Sequence, residues 1–127
     1  MNYKEIDDKL KDINIEDHIW IIYVIIIVAS WYSNGLERRY FIFNDNIAKD
    51  KYHDIIVKIF TILIFVYLYF LKSSIDDIKS LKQTDSIEKR KLTELAFIAS
   101  LFIFISGLIY LYIAYNDKNI DVELAFN

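Results

Sequence analysis

Two histidines, scattered acids and no cysteine limit the chemistry open to this chain. His53 stands beside Asp54 with Asp50 one helical turn earlier, a set that offers a metal ion two or three weak ligands. His18 opens the first apolar run, at the far end of it from His53, so the two cannot share an ion within one chain. Histidines at such borders belong to a membrane interface, and no metal site is assigned. Asp76 and Asp77 suggest a carboxylate pair, but adjacent helical residues point about 100° apart and do not converge on one atom. Lys58 is the one charge within an apolar run, one turn from its start, where a lysine snorkels to the interface. Nothing matches a phosphate loop, a nucleophile motif or a dinucleotide fingerprint. The expectation is a non-enzymatic chain without cofactor or metal.

A second pattern concerns packing. Residues 95–115 carry no charge, and a helix of that length covers about 30 Å, the thickness of a bilayer's hydrocarbon core. Along it Thr93, Ala96, Ser100, Ile103, Gly107, Tyr110 and Ala114 follow alternating steps of three and four, a heptad seam. Thr93, Ser100, Gly107 and Ala114 fall seven apart and are small, which lets another helix backbone approach closely in lipid. The seam is expected to pack a helix or to form an oligomer interface. Its competing use is to be filled within the chain by Ile, Phe and Leu of the other spans.

The elements that position these residues follow from composition. At 127 residues the chain is at most one domain, with 55% hydrophobic and 17% aromatic residues and a mean hydropathy of only +0.25. That value is moderate because the 26% of charged residues gather in the connections. With no proline and two glycines, long helices are favoured over a turn-rich β fold. A net charge of −3 argues against nucleic acid as a partner. Abundant Ile, Asn, Tyr, Phe and Lys is the bias of AT-rich codons and points to a low-GC bacterium.

Residues 1–16 read as an amphipathic helix, with Tyr3, Ile6, Leu10 and Ile13 on one stripe and Asn2 with Glu5 as a capping pair. Residues 18–36 form the first span, bracketed by Trp20 and Trp31, and Glu16 and Asp17 replace the basic region a signal peptide needs. Residues 37–54 connect, with Tyr40 to Phe43 as an interfacial patch and a helix beginning at Asn46. Residues 54–72 are the second span and 73–91 a hairpin tip, broken at Gln83 to Ser86, with Asp85 and Glu88 capping the next helix. The third span is 92–115. The tail, 116–127, alternates apolar residues at Ile120, Val122, Leu124 and Phe126, as an extended strap over the protein or a strand offered to a partner. The expected fold is an all-α membrane protein: an N-terminal amphipathic helix plus three transmembrane helices, the second and third forming a long antiparallel hairpin that projects beyond the bilayer.

Lys4, Lys9, Lys11, Lys72, Lys79, Lys82, Lys89, Arg90 and Lys91 fall on the side of the N-terminus and tip; Arg38, Arg39, Lys49, Lys51, Lys58 and Lys118 fall on the other. The positive-inside rule then places N-terminus and tip in the cytoplasm and the C-terminus outside, in a bacterial inner membrane. There Ile6, Leu10 and Ile13 would pack with Ile75, Ile78, Leu81 and Ile87 as a cap.

In layout alone the chain resembles bacterial membrane diacylglycerol kinases, in which an amphipathic helix also precedes three spans. Glu94 and Asn46 stand isolated and do not reproduce the acids and asparagine that hold metal and nucleotide there. The expected function is therefore that of a small polytopic membrane protein that self-associates through its third span, a pore being one form of that assembly. The alternatives are an accessory or anchoring subunit, engaged through the C-terminal tail, and a lipid-modifying enzyme.

Overall fold

The computed structural model describes residues 2–124, and every regular element among them is helical. In chain order these are α1 (Tyr3–Phe43), α2 (Asn46–Lys79) and α3 (Ile87–Asn116). All three are long and apolar enough to cross a membrane. Lipid supplies no water to backbone amides, so a spanning segment must satisfy them internally, as these helices do.

One difference from the sequence reading lies in α1. A separate amphipathic helix over 1–16 and a span over 18–36 were expected, but Tyr3–Phe43 is one helix of 41 residues, roughly 60 Å long. Its start is the expected one: Asn2 accepts from the Glu5 amide at 2.8 Å, and Glu5 reaches back to the Asn2 amide at 3.3 Å. Between Ile13 and Ile19 no Pro or Gly interrupts, and a nucleated helix extends at little cost. The acids there are ordinary helix residues, and His18 Nδ1 lies 2.7 Å from the Asn14 carbonyl oxygen, one turn back. Because residues 3–16 continue the helix of the span, they do not fold over the tip. Ile6, Leu10 and Ile13 stay about half exposed and Ile87 is 87% exposed, so the expected cap with Ile75, Ile78 and Leu81 is not formed.

The connection expected over 37–54 shrinks to two residues. Asn44 adopts the left-handed conformation that ends a helix (φ 53°). Asp45 then caps α2, its Oδ1 accepting from the Ile47 and Ala48 amides at 3.1 Å each. Tyr40 to Phe43 form the last turn of α1, and α2 begins at Asn46 as expected.

At the other turn, α2 ends at Lys79, earlier than the break at Gln83, and the cap of α3 is Ser86 in place of Asp85. Ser86 Oγ accepts from the Lys89 amide at 3.0 Å. Asp85 turns back to accept from the Lys82 amide at 2.7 Å and pairs with Lys89 Nζ at 3.1 Å. Arg90 closes the turn by donating to the Lys82 carbonyl at 3.0 Å.

α2 is the middle element: α1 and α3 each pack on it and, among the described residues, not on each other. Ile56, Ile59, Phe60, Leu63 and Val66 of α2 are buried between the neighbours. After α3, the Asp117 carboxylate accepts from the Asp121 and Val122 amides at 3.0 and 2.7 Å. That turn draws Ile120 to φ 57° and delivers Leu124 into the core beside Tyr52, Ile56 and Ala114. The period-two pattern does not form a strand through Leu124; Phe126 lies outside the described residues.

The amide of Lys82 and the Lys89 ammonium hold the Asp85 carboxyl below the usual carboxylate range. A depressed folded-state pKa means that its contribution is present above the ordinary carboxylate value and lost as pH falls through the lowered one. A spin label on Thr84→Cys should stay immobile down to that lower value and gain mobility below it. Asp85→Asn should give the mobile spectrum at neutral pH.

Candidate functional site

The seam of α3 divides at Ile103. Beyond it the residues are used within the chain. Gly107 is buried, and a Cβ there would come within 2.8 Å of Tyr67 Cδ2 and 3.1 Å of Ile64 Cδ1, so glycine is required by the approach of α2. One turn on, Tyr110 stacks on Phe60 with ring centroids 5.6 Å apart and planes at 26°. Ala114 is buried where Leu124 arrives. Before Ile103, Thr93 and Ser100 are half-buried and Ala96 and Ile103 exposed. Thr93 spends its hydroxyl on the Lys89 carbonyl at 2.7 Å.

α1 has its own small-residue contact, which the sequence reading missed. Ile26, Ser30 and Ser33 recur at helical spacing and are buried; Ser33 Oγ donates to the Ser30 carbonyl at 2.7 Å, and Ser30 Oγ is buried with no hydrogen-bond partner among the described residues. The bulk of the isoleucines around the serines concealed this face.

Since α1 and α3 do not meet, a cleft of ≈ 380 Å³ opens between them over α2. Tyr23 of α1 forms one wall, Ala96, Ser100 and Ile103 the other, and Tyr67, Phe70 and Asp77 the floor. At Asp77 and Ala96 it joins a wider mouth of ≈ 680 Å³ that includes Lys9, Glu88 and Lys89. Lys89 is engaged by Asp85, whereas Lys9 and Asp77 take part in no ion pair among the described residues. Of the adjacent acids only Asp77 lines the cleft, as divergent helical neighbours require. The first four seam residues therefore share this cleft, with Thr93 at its mouth.

A second cluster lies at the opposite end of α2. His53 Nε2 is 3.0 Å from the carbonyl oxygen of Tyr115, in the last turn of α3, where helix carbonyls lack intrahelical partners. Asp54 pairs with Lys58 at 2.7 Å, so His53, Asp54 and Asp50 do not converge. Among the described residues no group of three or more His, Asp or Glu side chains is placed to hold a metal. Glu37, read as a loop residue, is on α1 and hydrogen-bonded to Tyr52. Burial pushes its carboxyl up, the Tyr52 hydrogen bond opposes that, and Glu123 of the tail adds to it. Recognising this site requires knowing that α1 runs through residue 37.

Comparison with protein-family models, with curated proteins and with solved structures finds no match to this chain.

The two glycines respond differently to substitution. Gly107→Leu must displace Tyr67 or α2 and should destabilise the detergent-solubilised monomer by roughly 1–3 kcal/mol. A Cβ at Gly35 has nothing within 4 Å, so Gly35→Ala should stabilise the monomer by about 0.5–1 kcal/mol through helix propensity alone. Thermal unfolding followed by circular dichroism reads both. Equal melting temperatures for the two variants would contradict the packing described.

Proposed function

We propose that this chain is a non-enzymatic, three-span membrane protein that works by lateral assembly in the bilayer, and that the assembly face is on α1 around Gly35. The observation that carries the reading is the contrast between the glycines. Gly107 answers to α2, so half of the α3 seam is no longer available to another molecule. Gly35 costs helix stability, and nothing among the described residues presses on it. It floors a shallow depression lined by Val28, Trp31, Tyr32 and Leu36, a surface on which a second helix backbone can approach closely. A second copy presenting the same face gives a self-complementary two-fold contact. Arg38 and Arg39 edge the depression on one side, and Arg39 is paired with Asp45 at 3.5 Å.

Catalysis and ion conduction have less support. His53, Asp54 and Asp85 are each engaged in structural contacts. Thr61 and Thr93, whose hydroxyls could ring a pore, donate to the carbonyls of Val57 and Lys89 on their own helices. An accessory role, with a helix of another protein on Gly35, is the second outcome of the same test.

In this reading α2 and α3 are antiparallel. His53 meets Tyr115, Phe60 meets Tyr110, and Tyr67 meets Gly107, so one number falls as the other rises. Their tip stands in the cytoplasm of a bacterial cell with the N-terminus, and the C-terminus lies outside. Maleimide should reach Asn119→Cys from outside intact cells and Ser86→Cys only after permeabilisation; the reverse pattern inverts the topology.

For the assembly face, the absence of cysteine allows single probes. Tyr32→Cys should form disulfide dimers in native membranes, and Gly35→Leu should abolish them. Ser100→Cys, which faces the chain's own cleft, should not cross-link. Dimers from Ser100→Cys with none from Tyr32→Cys would return the interface to α3; a heterologous adduct at Tyr32→Cys would establish the accessory role.

A further inference from the structure

We propose that the cleft between α1 and α3 holds one glycerophospholipid with a primary-amine headgroup, its phosphate on Lys9, its ammonium on Asp77 and an acyl chain along Tyr67 and Ile103. This site lies on a different surface from the Gly35 face and does not depend on the assembly reading.

Depth supports it first. Leu63 is fully buried and lies at the middle of the apolar run of α2. Counting along the helix, Tyr67 is about 6 Å from that level, Ser73 about 15 Å and Asp77 about 21 Å. Half of a hydrocarbon core is about 15 Å, and the headgroup zone ends at about 20–22 Å. The cleft therefore runs the depth of one leaflet, with apolar walls where an acyl chain lies. Ser73 lines it at the level of the ester carbonyls, and Asp77 stands at the level of headgroups.

Shape suits an acyl chain. The membrane-level cleft is ≈ 380 Å³, is closed behind by α2 and widens towards its charged mouth, a path that a flexible chain can follow.

Charge selects the headgroup. The mouth presents a cation and an anion, Lys9 and Asp77, outside any ion pair among the described residues. A purely anionic headgroup would meet Lys9 but leave Asp77 without a counter-charge. A quaternary ammonium has no N–H to donate to a carboxylate. A phosphate joined to a primary ammonium satisfies both side chains by charge-assisted hydrogen bonds.

The full chain, purified and titrated with phosphatidylethanolamine, phosphatidylglycerol or phosphatidylcholine of equal chain length, is read by native mass spectrometry. One phosphatidylethanolamine per chain should be retained in preference to the others. Asp77→Asn should lower its retention about tenfold and remove the preference over phosphatidylcholine, the effect of losing one charged hydrogen bond. Lys9→Gln should lower retention of phosphatidylethanolamine and phosphatidylglycerol together. Both positions are exposed, so the fold does not depend on them. Ser100→Trp should block the cleft, and Ile109→Trp, on the exposed side of α3, should leave retention unchanged. Equal retention of all three lipids, preference for phosphatidylglycerol, or unchanged binding by Asp77→Asn would overturn the proposal. So would a Ser100→Trp variant that alters the oligomer and leaves lipid retention intact, since a protein segment would then occupy the cleft.

Discussion

The close approach of α3 to α2 at Gly107 is the contact on which the arrangement depends. In lipid, apolar side chains gain nothing by leaving one apolar neighbour for another, so helices associate through fit. Gly107 lets the Tyr67 ring lie against the backbone of α3, and the Phe60–Tyr110 stack and Ala114 continue the contact outward. On α1, which packs on α2 as well, Ser30 and Ser33 are small and buried. The middle helix is thus held by small residues on two neighbours that never meet. That arrangement is a layer, not a closed bundle, and the cleft is its direct consequence.

The ends of the helices carry the remaining order. Without proline, a helix here stops only where a side chain offers its backbone something better. Asn44 with Asp45 does so at one turn, and Asp85 with Ser86 at the other. Beyond α3, Asp117 and His53 share the work, one gathering the tail's amides and the other meeting a terminal carbonyl. Through Asp117 the tail reaches Leu124, and through Glu123 it adds charge beside Glu37 and Tyr52.

The three apolar segments, the start of α2 at Asn46 and the Asn2–Glu5 cap were legible in the sequence because each rests on local pattern. Helix breaks were not. Glu16 and Asp17 suggested a boundary by polarity, yet polarity does not end a helix in the aqueous layer. Asp85 and Ser86 are both good caps by type, and only the three-dimensional turn decides which faces the Lys89 amide. Of the seam, Gly107, Tyr110 and Ala114 meet residues of their own chain, and spacing alone says nothing about whose helix fills such a surface. Lys9 and Asp77 share a mouth only once α1 is known to run unbroken past the end of its span, which no short-range signal reports.

Two surfaces of different character follow from one constraint. Were α1 to touch α3, the small residues Ala96 and Ser100 would be buried and the three helices would enclose a core. Instead both helices use their small residues against α2, at Ser30 and Ser33 on one side and Gly107 and Ala114 on the other. Small residues left over after those contacts, Gly35 on α1 and Ala96 with Ser100 on α3, mark where the chain has room that its own side chains do not fill. At Gly35 the room is shallow and open to the bilayer, which suits a helix. At Ser100 it is narrow, backed by α2 and charged at its mouth, which suits an amphiphile.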